Sequence, residues 1–370
     1  MWFTVNNVET VDSPALLAYP DRIAQNIRTV KQMTGSTAKL RIHVKTNKTP
    51  EVCQMMLDAG IVKYKCATIA EAEMLGQIVA PDVLLAYQPV GPKIYRLAHI
   101  VKAYPQTNYS CLVDNLHIAR EVSDCFAKQN KRMDVFIDLN VGMNRTGILP
   151  SDAPHLIREI SNMKGIRVKG IHAYDGHIHD TDLTLRTQKA DEAFSLVEQV
   201  VANTQDFFIQ SPVLILGGSP TFPVHCQREN VECSPGTFIF WDWGYRQMFP
   251  DQPFEYAAIL LSRVISVIDR HTVCIDLGHK SIAAENPLPR IYFLNAPDAK
   301  PFAQSEEHLT VQVPDSSQYP VGSVLYGVPV HICPTVALYD RLHIVIGHHC
   351  AETWEITARK RNIFQDLTGK

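Results

Sequence analysis

The chain has 370 residues, a hydrophobic fraction of 46%, a charged fraction of 20% and a formal net charge of -3. That is the make-up of an ordinary soluble globular protein, long enough for a barrel plus a second domain, and it argues against a nucleic-acid or polyanion binder. No stretch is apolar for long enough to span a membrane, the opening MWFTVNNVETVDSPALLAYP lacks a basic and then apolar leader, and the nine scattered cysteines read as reduced thiols in a cytoplasm.

The first residues, FTVNNVET, are strand-like and are expected to join a β-rich domain formed later in the chain. From Lys39 to about Asp242, short apolar runs alternate with helix-length segments. The predicted strands are LRIHVK (40–45), KCAT (65–68), VLLAY (83–87), SCLVD (110–114), DVFIDL (134–139), KGIHAY (169–174), VLILGG (213–218) and TFIFWD (237–242). Strand–helix alternation implies parallel strands joined by crossovers, and eight such strands predict an α/β fold of the (β/α)8 TIM-like barrel type, with a doubly wound open sheet as the alternative. From about Glu255 the pattern turns mostly β, through YAAILLSRVISVI, HTVCIDLG, HLTVQV, SVLYGVPVHIC, LHIVI and WEITARKR. The expected division is a barrel over 14–248, with 1–13 and 249–370 forming the second, mostly β domain.

Barrel enzymes keep their chemistry at the C-terminal ends of the strands. The first predicted strand ends on Lys45, where a lysine with no role would simply snorkel to solvent. The loop after the fifth, LNVGMNRTGI, delivers Arg145. The sixth ends with His172 and Tyr174, two apart and so on one face. After the seventh comes GGSPT, Gly217 to Thr221. Its glycines let backbone N–H groups approach an anion, and Ser219 and Thr221 add hydroxyls; the plainer reading is an ordinary Gly-Ser-Pro turn. A lysine at one strand end and an anion cradle at another suit pyridoxal phosphate, which needs an amine for a Schiff base and a seat for its phosphate.

The stretches RIHVKTNKT, KCATIAEAEML, IDLNVGMNRTGI, GIHAYDGH, LGGSPT, SPGTFIFWD, IDLGHKSIAAE and HICPTVALYD…WEITARKR occur in an order that resembles the D-threonine aldolase and D-serine dehydratase family. These are alanine-racemase-like, fold-type III pyridoxal-phosphate enzymes. The resemblance implies that Lys45 carries the cofactor, that Arg145 sits near its phenolic oxygen, and that His172 and Tyr174 flank its ring. Gly217, Gly218 and Ser219, with Gly236 and Thr237, would hold or approach the phosphate. Asn47 stands where the family commonly has a histidine, which leaves specificity open.

VHICPT places His331 and Cys333 two apart on a predicted strand, so both side chains share a face, where an imidazole and a thiolate suit Zn²⁺. The rival reading is a buried polar pair. The resemblance puts these two residues on the family's metal ligands, and Mn²⁺ or Mg²⁺ are the alternatives to zinc. GHIHD (176–180) and GHHC (347–350) are weaker metal clusters, read as a loop and a hairpin turn. SEEH (305–308) is either a segment beside the active site or a solvated turn.

The expected activity is that of a pyridoxal-phosphate- and divalent-metal-dependent lyase acting on a small-molecule D-3-hydroxy amino acid, by elimination or by retro-aldol cleavage. The alternatives are a pyridoxal-phosphate-dependent amino-acid racemase and a non-catalytic carrier of the cofactor. The resemblance further implies a homodimer; the cysteines and the missing leader point to the cytoplasm, and charge and hydropathy to no nucleic-acid or membrane partners.

Overall fold

A computed structural model of the chain describes residues 1–361. The strands, in chain order, are β1 (Ala15–Ala18), β2 (Arg41–His43), β3 (Lys63–Cys66), β4 (Asp82–Leu85), β5 (Asn108–Val113), β6 (Met133–Leu139), β7 (Ile166–Ala173), β8 (Val213–Leu216) and β9 (Val231–Cys233). They continue with β10 (Ala258–Asp269), β11 (Thr272–Ile275), β12 (Ile291–Phe293), β13 (Lys300–Gln304), β14 (Leu309–Gln312), β15 (Val324–Pro329), β16 (Arg341–Ile346) and β17 (His349–Glu355).

Strands β2 to β9 form one parallel sheet in sequence order. A bridge between Leu40 and Cys233 and a hydrogen bond from His43 N to Pro235 O (3.1 Å) join the first strand to the last. The sheet therefore closes as the predicted barrel. Helices such as Pro50–Asp58, Ile69–Gln77, Pro92–Ala103 and Leu116–Ala127 make the crossovers. Thr68 and Asn115 cap two of them by accepting backbone N–H groups through their side-chain oxygens, which satisfies donors that a helix start leaves free.

Side chains two apart on a strand share a face, so the barrel interior can be followed upward in layers. Arg41, Asp82 and Glu232 meet near the starts of the strands. Above them Leu84, Leu112, Phe136 and Ile215 form a dry cluster. Lys65, Asp138 and His172 follow one step further along their strands, each almost fully buried.

Seven of the eight predicted barrel strands fall where expected, and the eighth does not. TFIFWD is not a strand. It makes a 3₁₀ turn at Thr237–Ile239, and Trp241 then adopts a left-handed φ of 51° that no strand permits. The eighth strand is instead Val231–Cys233, too short and too polar at Glu232 to show alternation. Its glutamate points inward onto Arg41.

The second unit comprises Met1–Thr29, Thr46–Val52 and Thr237–Arg359. Its sheet runs β13-β14-β11-β10-β1-β16-β17, with β15 paired to β10 and β12 to β15. FTVNNVET is not a strand either. It forms turns with a 3₁₀ segment at Val8–Thr10, although Val5 N and Asn6 N do bond to Tyr326 Oη (3.2 Å) and His348 O (2.7 Å) of this unit. WEITARKR contributes only the end of β17 before another 3₁₀ turn at Thr357–Arg359. Residues 362–370 of the expected β domain lie outside the described residues. No helix among the described residues is long and apolar enough to cross a membrane.

Candidate active site

Lys45 lies just past the end of β2, where Val44 N still bonds to Lys65 O (2.9 Å) before the Thr-Asn-Lys-Thr break begins. Its ammonium lies 6.0 Å from the centroid of the Tyr174 ring. The same ring has the Arg145 guanidinium at 4.9 Å and the Lys65 ammonium at 5.6 Å. One half-buried aromatic side chain thus gathers three cations, an arrangement that the negative face of its π-system favours.

Lys65 and Asp138 lie within the stretches KCATIAEAEML and IDLNVGMNRTGI, which assign them no role. The Lys65 amine sits 3.0 Å from His172 Nε2, and Nδ1 of that imidazole is 2.7 Å from Asp138 Oδ1. Burial, with Lys45 close by, pushes the Lys65 amine down to about 7, although Asp138 and Asp175 pull the other way. Burial and the Lys65 charge likewise lower His172, against the pull of Asp138. Burial opposes ionisation of Asp138, but hydrogen bonds from His172 and Thr146 hold its carboxyl below the usual range. The only signal in the sequence was a charge inside an apolar run, VFIDL and KYKC, where a strand should be burying carbon.

The GGSPT turn follows β8. Gly217 has φ of +67°, and a Cβ there would stand 2.6 Å from Thr221 Oγ1 and 2.7 Å from His225. A Cβ on Gly218 would stand 2.8 Å from the Tyr174 ring. The Gly217 position therefore requires glycine, and a side chain at Gly218 would displace the Tyr174 ring, so the backbone beside Tyr174 is bare. Asp175 holds the turn from beneath, accepting from Thr221 Oγ1 (2.8 Å) and pairing with His225 Nε2 (2.7 Å). Gly236 N donates to Ser219 Oγ (3.2 Å), so two stretches read separately in the sequence meet here. Backbone free of side chains, a buried hydroxyl and a nearby lysine fit a phosphate-bearing aldehyde.

His331 and Cys333 are not on a strand. β15 ends at Pro329, His331 caps a short helix over Ile332–Val336, and Cys333 lies in its first turn, where Pro334 is tolerated. Asp242 fixes this helix start by accepting from Ile332 N (3.0 Å) and also from Tyr245 N (2.8 Å). Burial pushes its carboxyl up to about 6 despite those two donors. His331 Nδ1 meets Glu285 Oε1 at 2.5 Å, and the imidazole also hydrogen-bonds Cys333. Burial opposes its charge, but Cys333 and Glu285 push the imidazole up to about 9. Around Cys333 Sγ stand Thr46 Oγ1 (3.1 Å) and Thr237 Oγ1 (3.6 Å). Thr237, expected near the phosphate, is thus placed beside the thiol. Among the described residues no group of three or more His, Cys, Asp and Glu side chains is placed to hold a metal ion. An imidazole and a thiol alone fit an ion that keeps open positions rather than a closed structural site.

Neither weaker cluster gathers a metal set. In GHIHD, Asp180 pairs with Lys189 (2.7 Å); in GHHC, Gly347 and His348 turn the chain between β16 and β17. SEEH is the turn between β13 and β14, where Glu306 pairs with Lys280.

Residues 19–242 match the alanine racemase N-terminal domain, more than half of the chain. The chain belongs to that family. Residues 257–345 also match a serine dehydratase domain. The chain is 27% identical over 357 residues to a D-threonine aldolase of Arthrobacter sp., covering 94% of this chain and 93% of that one. It is 23% identical over 373 residues to a D-threo-3-hydroxyaspartate dehydratase of Delftia sp. (strain HT23), covering 94% and 97%. The crystal structure of a D-threonine aldolase from Filomicrobium marinum superposes with a TM-score of 0.86 at 26% identity, over 94% of this chain and 95% of that one. The resemblance read from the motifs is borne out on both matched segments.

Proposed function

We propose that this member of the family is a pyridoxal-phosphate- and divalent-metal-dependent lyase of D-3-hydroxy amino acids, its barrel segment (14–248) carrying the cofactor and the remainder the metal. The observation that carries the reading is the placement of the Lys45 amine and the bare Gly217–Gly218 backbone around one ring, that of Tyr174. An aldehyde at one end and a phosphate at the other need that pairing.

Lys45 Nζ would hold the cofactor and then take or return the proton at the substrate's Cα. Gly217, Gly218 and Ser219, with Gly236 and Thr237, would hold or approach the phosphate, the glycines by leaving room for it. Arg145 would face the phenolic oxygen, and His172 and Tyr174 would flank the ring. When bound, the cofactor supplies an electron sink conjugated with Cα. His331 Nε2 and Cys333 Sγ would hold the divalent ion, for which a thiolate favours zinc, with the substrate's β-hydroxyl at an open position. Glu285, donating nothing itself, accepts from His331 Nδ1 and would orient that ligand.

The same residues serve loss of the hydroxyl with release of ammonia and a 2-oxo acid, or cleavage of Cα–Cβ to glycine and an aldehyde. The full-length similarity to aldolases and a dehydratase weighs against the racemase and the carrier readings. Assembly as a homodimer belongs to the same proposal and rests on the family resemblance; a cytoplasmic location rests on the nine scattered cysteines. The test is incubation of the metal-loaded holoenzyme with D-serine, D-threonine and D-3-hydroxyaspartate. A 2-oxo acid with ammonia, or glycine with an aldehyde, is the expected product. The L-enantiomer as sole product, or full activity in a chelator, overturns the reading.

A further inference from the structure

Lys65 has no part in the chemistry above, yet it is one of the most deeply buried ionisable groups of the barrel, 3% exposed, beside His172 at 4% and Asp138 at 6%. The three side chains form a line: carboxylate to Nδ1 at 2.7 Å, and Nε2 to amine at 3.0 Å. Proton counting restricts what this line can hold. Asp138 accepts from Nδ1–H, so the remaining proton lies between Nε2 and Nζ. Two cations 3.0 Å apart in a dry interior repel strongly, so the imidazolium and the ammonium do not coexist. The charged groups facing the pair are Lys45, Arg41 and Arg145, which disfavour a second proton, and Asp138 and Asp175, which favour the first.

We propose that Lys65 and His172 share one proton along the Nζ–Nε2 line, anchored by Asp138, and that Lys65 is thereby a positioning residue that sets the charge and tautomer of His172. The functional part rests on the reading of His172 as a neighbour of the cofactor's ring. Transfer converts ammonium plus neutral imidazole into amine plus imidazolium, so the charge changes place while its total stays fixed. The imidazole can then answer charge developing above it without water. The lowered amine, brought towards the range where an imidazole titrates, agrees with this sharing.

The experiment uses the full chain labelled with ¹⁵N-histidine, without and then with pyridoxal phosphate, the His172 signals being assigned by their loss in His172→Gln. In the wild type Nδ1 should stay protonated while Nε2 shows a shift between its bare and protonated limits, with one transition near 7. Lys65→Met should abolish the intermediate shift and leave an imidazole titrating alone. Lys65→Arg keeps a donor that never releases its proton, so Nε2 should remain a bare acceptor with no transition. A wild-type Nε2 fixed at either limit overturns the sharing, whatever the variants do. The bound cofactor's visible absorbance tests the other part. If sharing is seen but that spectrum is the same in wild type and Lys65→Met, the pair stands and the placement of His172 beside the ring falls.

Discussion

Where the barrel strands begin, the Arg41 guanidinium bonds Glu232 through Nε (2.6 Å) and Asp82 through both terminal nitrogens (2.6 and 3.2 Å), while Lys63 takes the other oxygen of Glu232. Two residues further along β3, on the far side of the dry layer, the Lys65 ammonium has an imidazole as its hydrogen-bond partner and further cations near it. Both side chains are almost fully buried, and burial opposes the charge on both. At Arg41 the carboxylates more than offset that penalty and hold its pKa above the ordinary value; at Lys65 they do not. Burial alone therefore does not separate scaffold from chemistry. What separates them is whether the partners complete the charge or leave a proton in play.

Breaking each end in turn should give opposite phenotypes. The largest effect belongs to Lys45→Ala. It should lower turnover by roughly 10³-fold or more, the scale of a lost nucleophile and base, with no loss of folding. Borohydride reduction followed by peptide mapping should place the cofactor on Lys45 in the wild type; labelling of Lys48 or Lys280 instead would break the assignment. Next is Arg41→Ala at the other end. Glu232 keeps Lys63 and Asp82 is partly exposed, so the cost should lie at or below the low end of the about 3–5 kcal/mol of a broken buried pair, read as a fall in the denaturant midpoint, while activity per folded molecule stays near wild type.

The smallest effect sharpens the comparison through pH. The Lys65 amine ordinarily titrates at 10.5 and in the fold at about 7, so between those values the unfolded chain binds more protons than the native one. Stability from this group therefore rises with pH across that window, by at most ~1.4 kcal/mol per pH unit. Lys65→Met removes the slope. The variant should be relatively most stable near neutral pH, and its advantage over the wild type should shrink as pH rises, as measured by paired melting curves. A constant difference would show that the amine is not depressed in the fold.

The barrel was legible because its strands are apolar runs at regular spacing, and Lys45, His172, Tyr174 and the GGSPT turn were legible because they sit at strand ends. Val231–Cys233 was not, since a three-residue strand with an inward glutamate has no periodicity to read. His331 and Cys333 were found as a pair but given the wrong backbone: the i, i+2 spacing of a strand also fits a helix cap and its first turn, and only the Asp242 bond to Ile332 N decides between them. Asp138, Asp175, His225 and Lys65 act through contacts between distant strands and loops. Their partners are set by which strands lie side by side or face each other across the barrel, which no local pattern encodes.

The placement of β1 bears on how the molecule is made. Ala15 to Ala18 are buried at every position and pair with Ala258–Leu261 on one side and His343–Ile344 on the other. This strand leaves the ribosome before any barrel strand, and its partners emerge only after all of them. The barrel strands lie between, in an uninterrupted run from Arg41 to Cys233, and can pair in order as they emerge. Throughout that time the nascent chain carries an apolar strand with both edges open, the kind of segment that seeks pairing with other chains. Completion of the second sheet, rather than of the barrel, is thus the step that ends the chain's exposure to aggregation during synthesis.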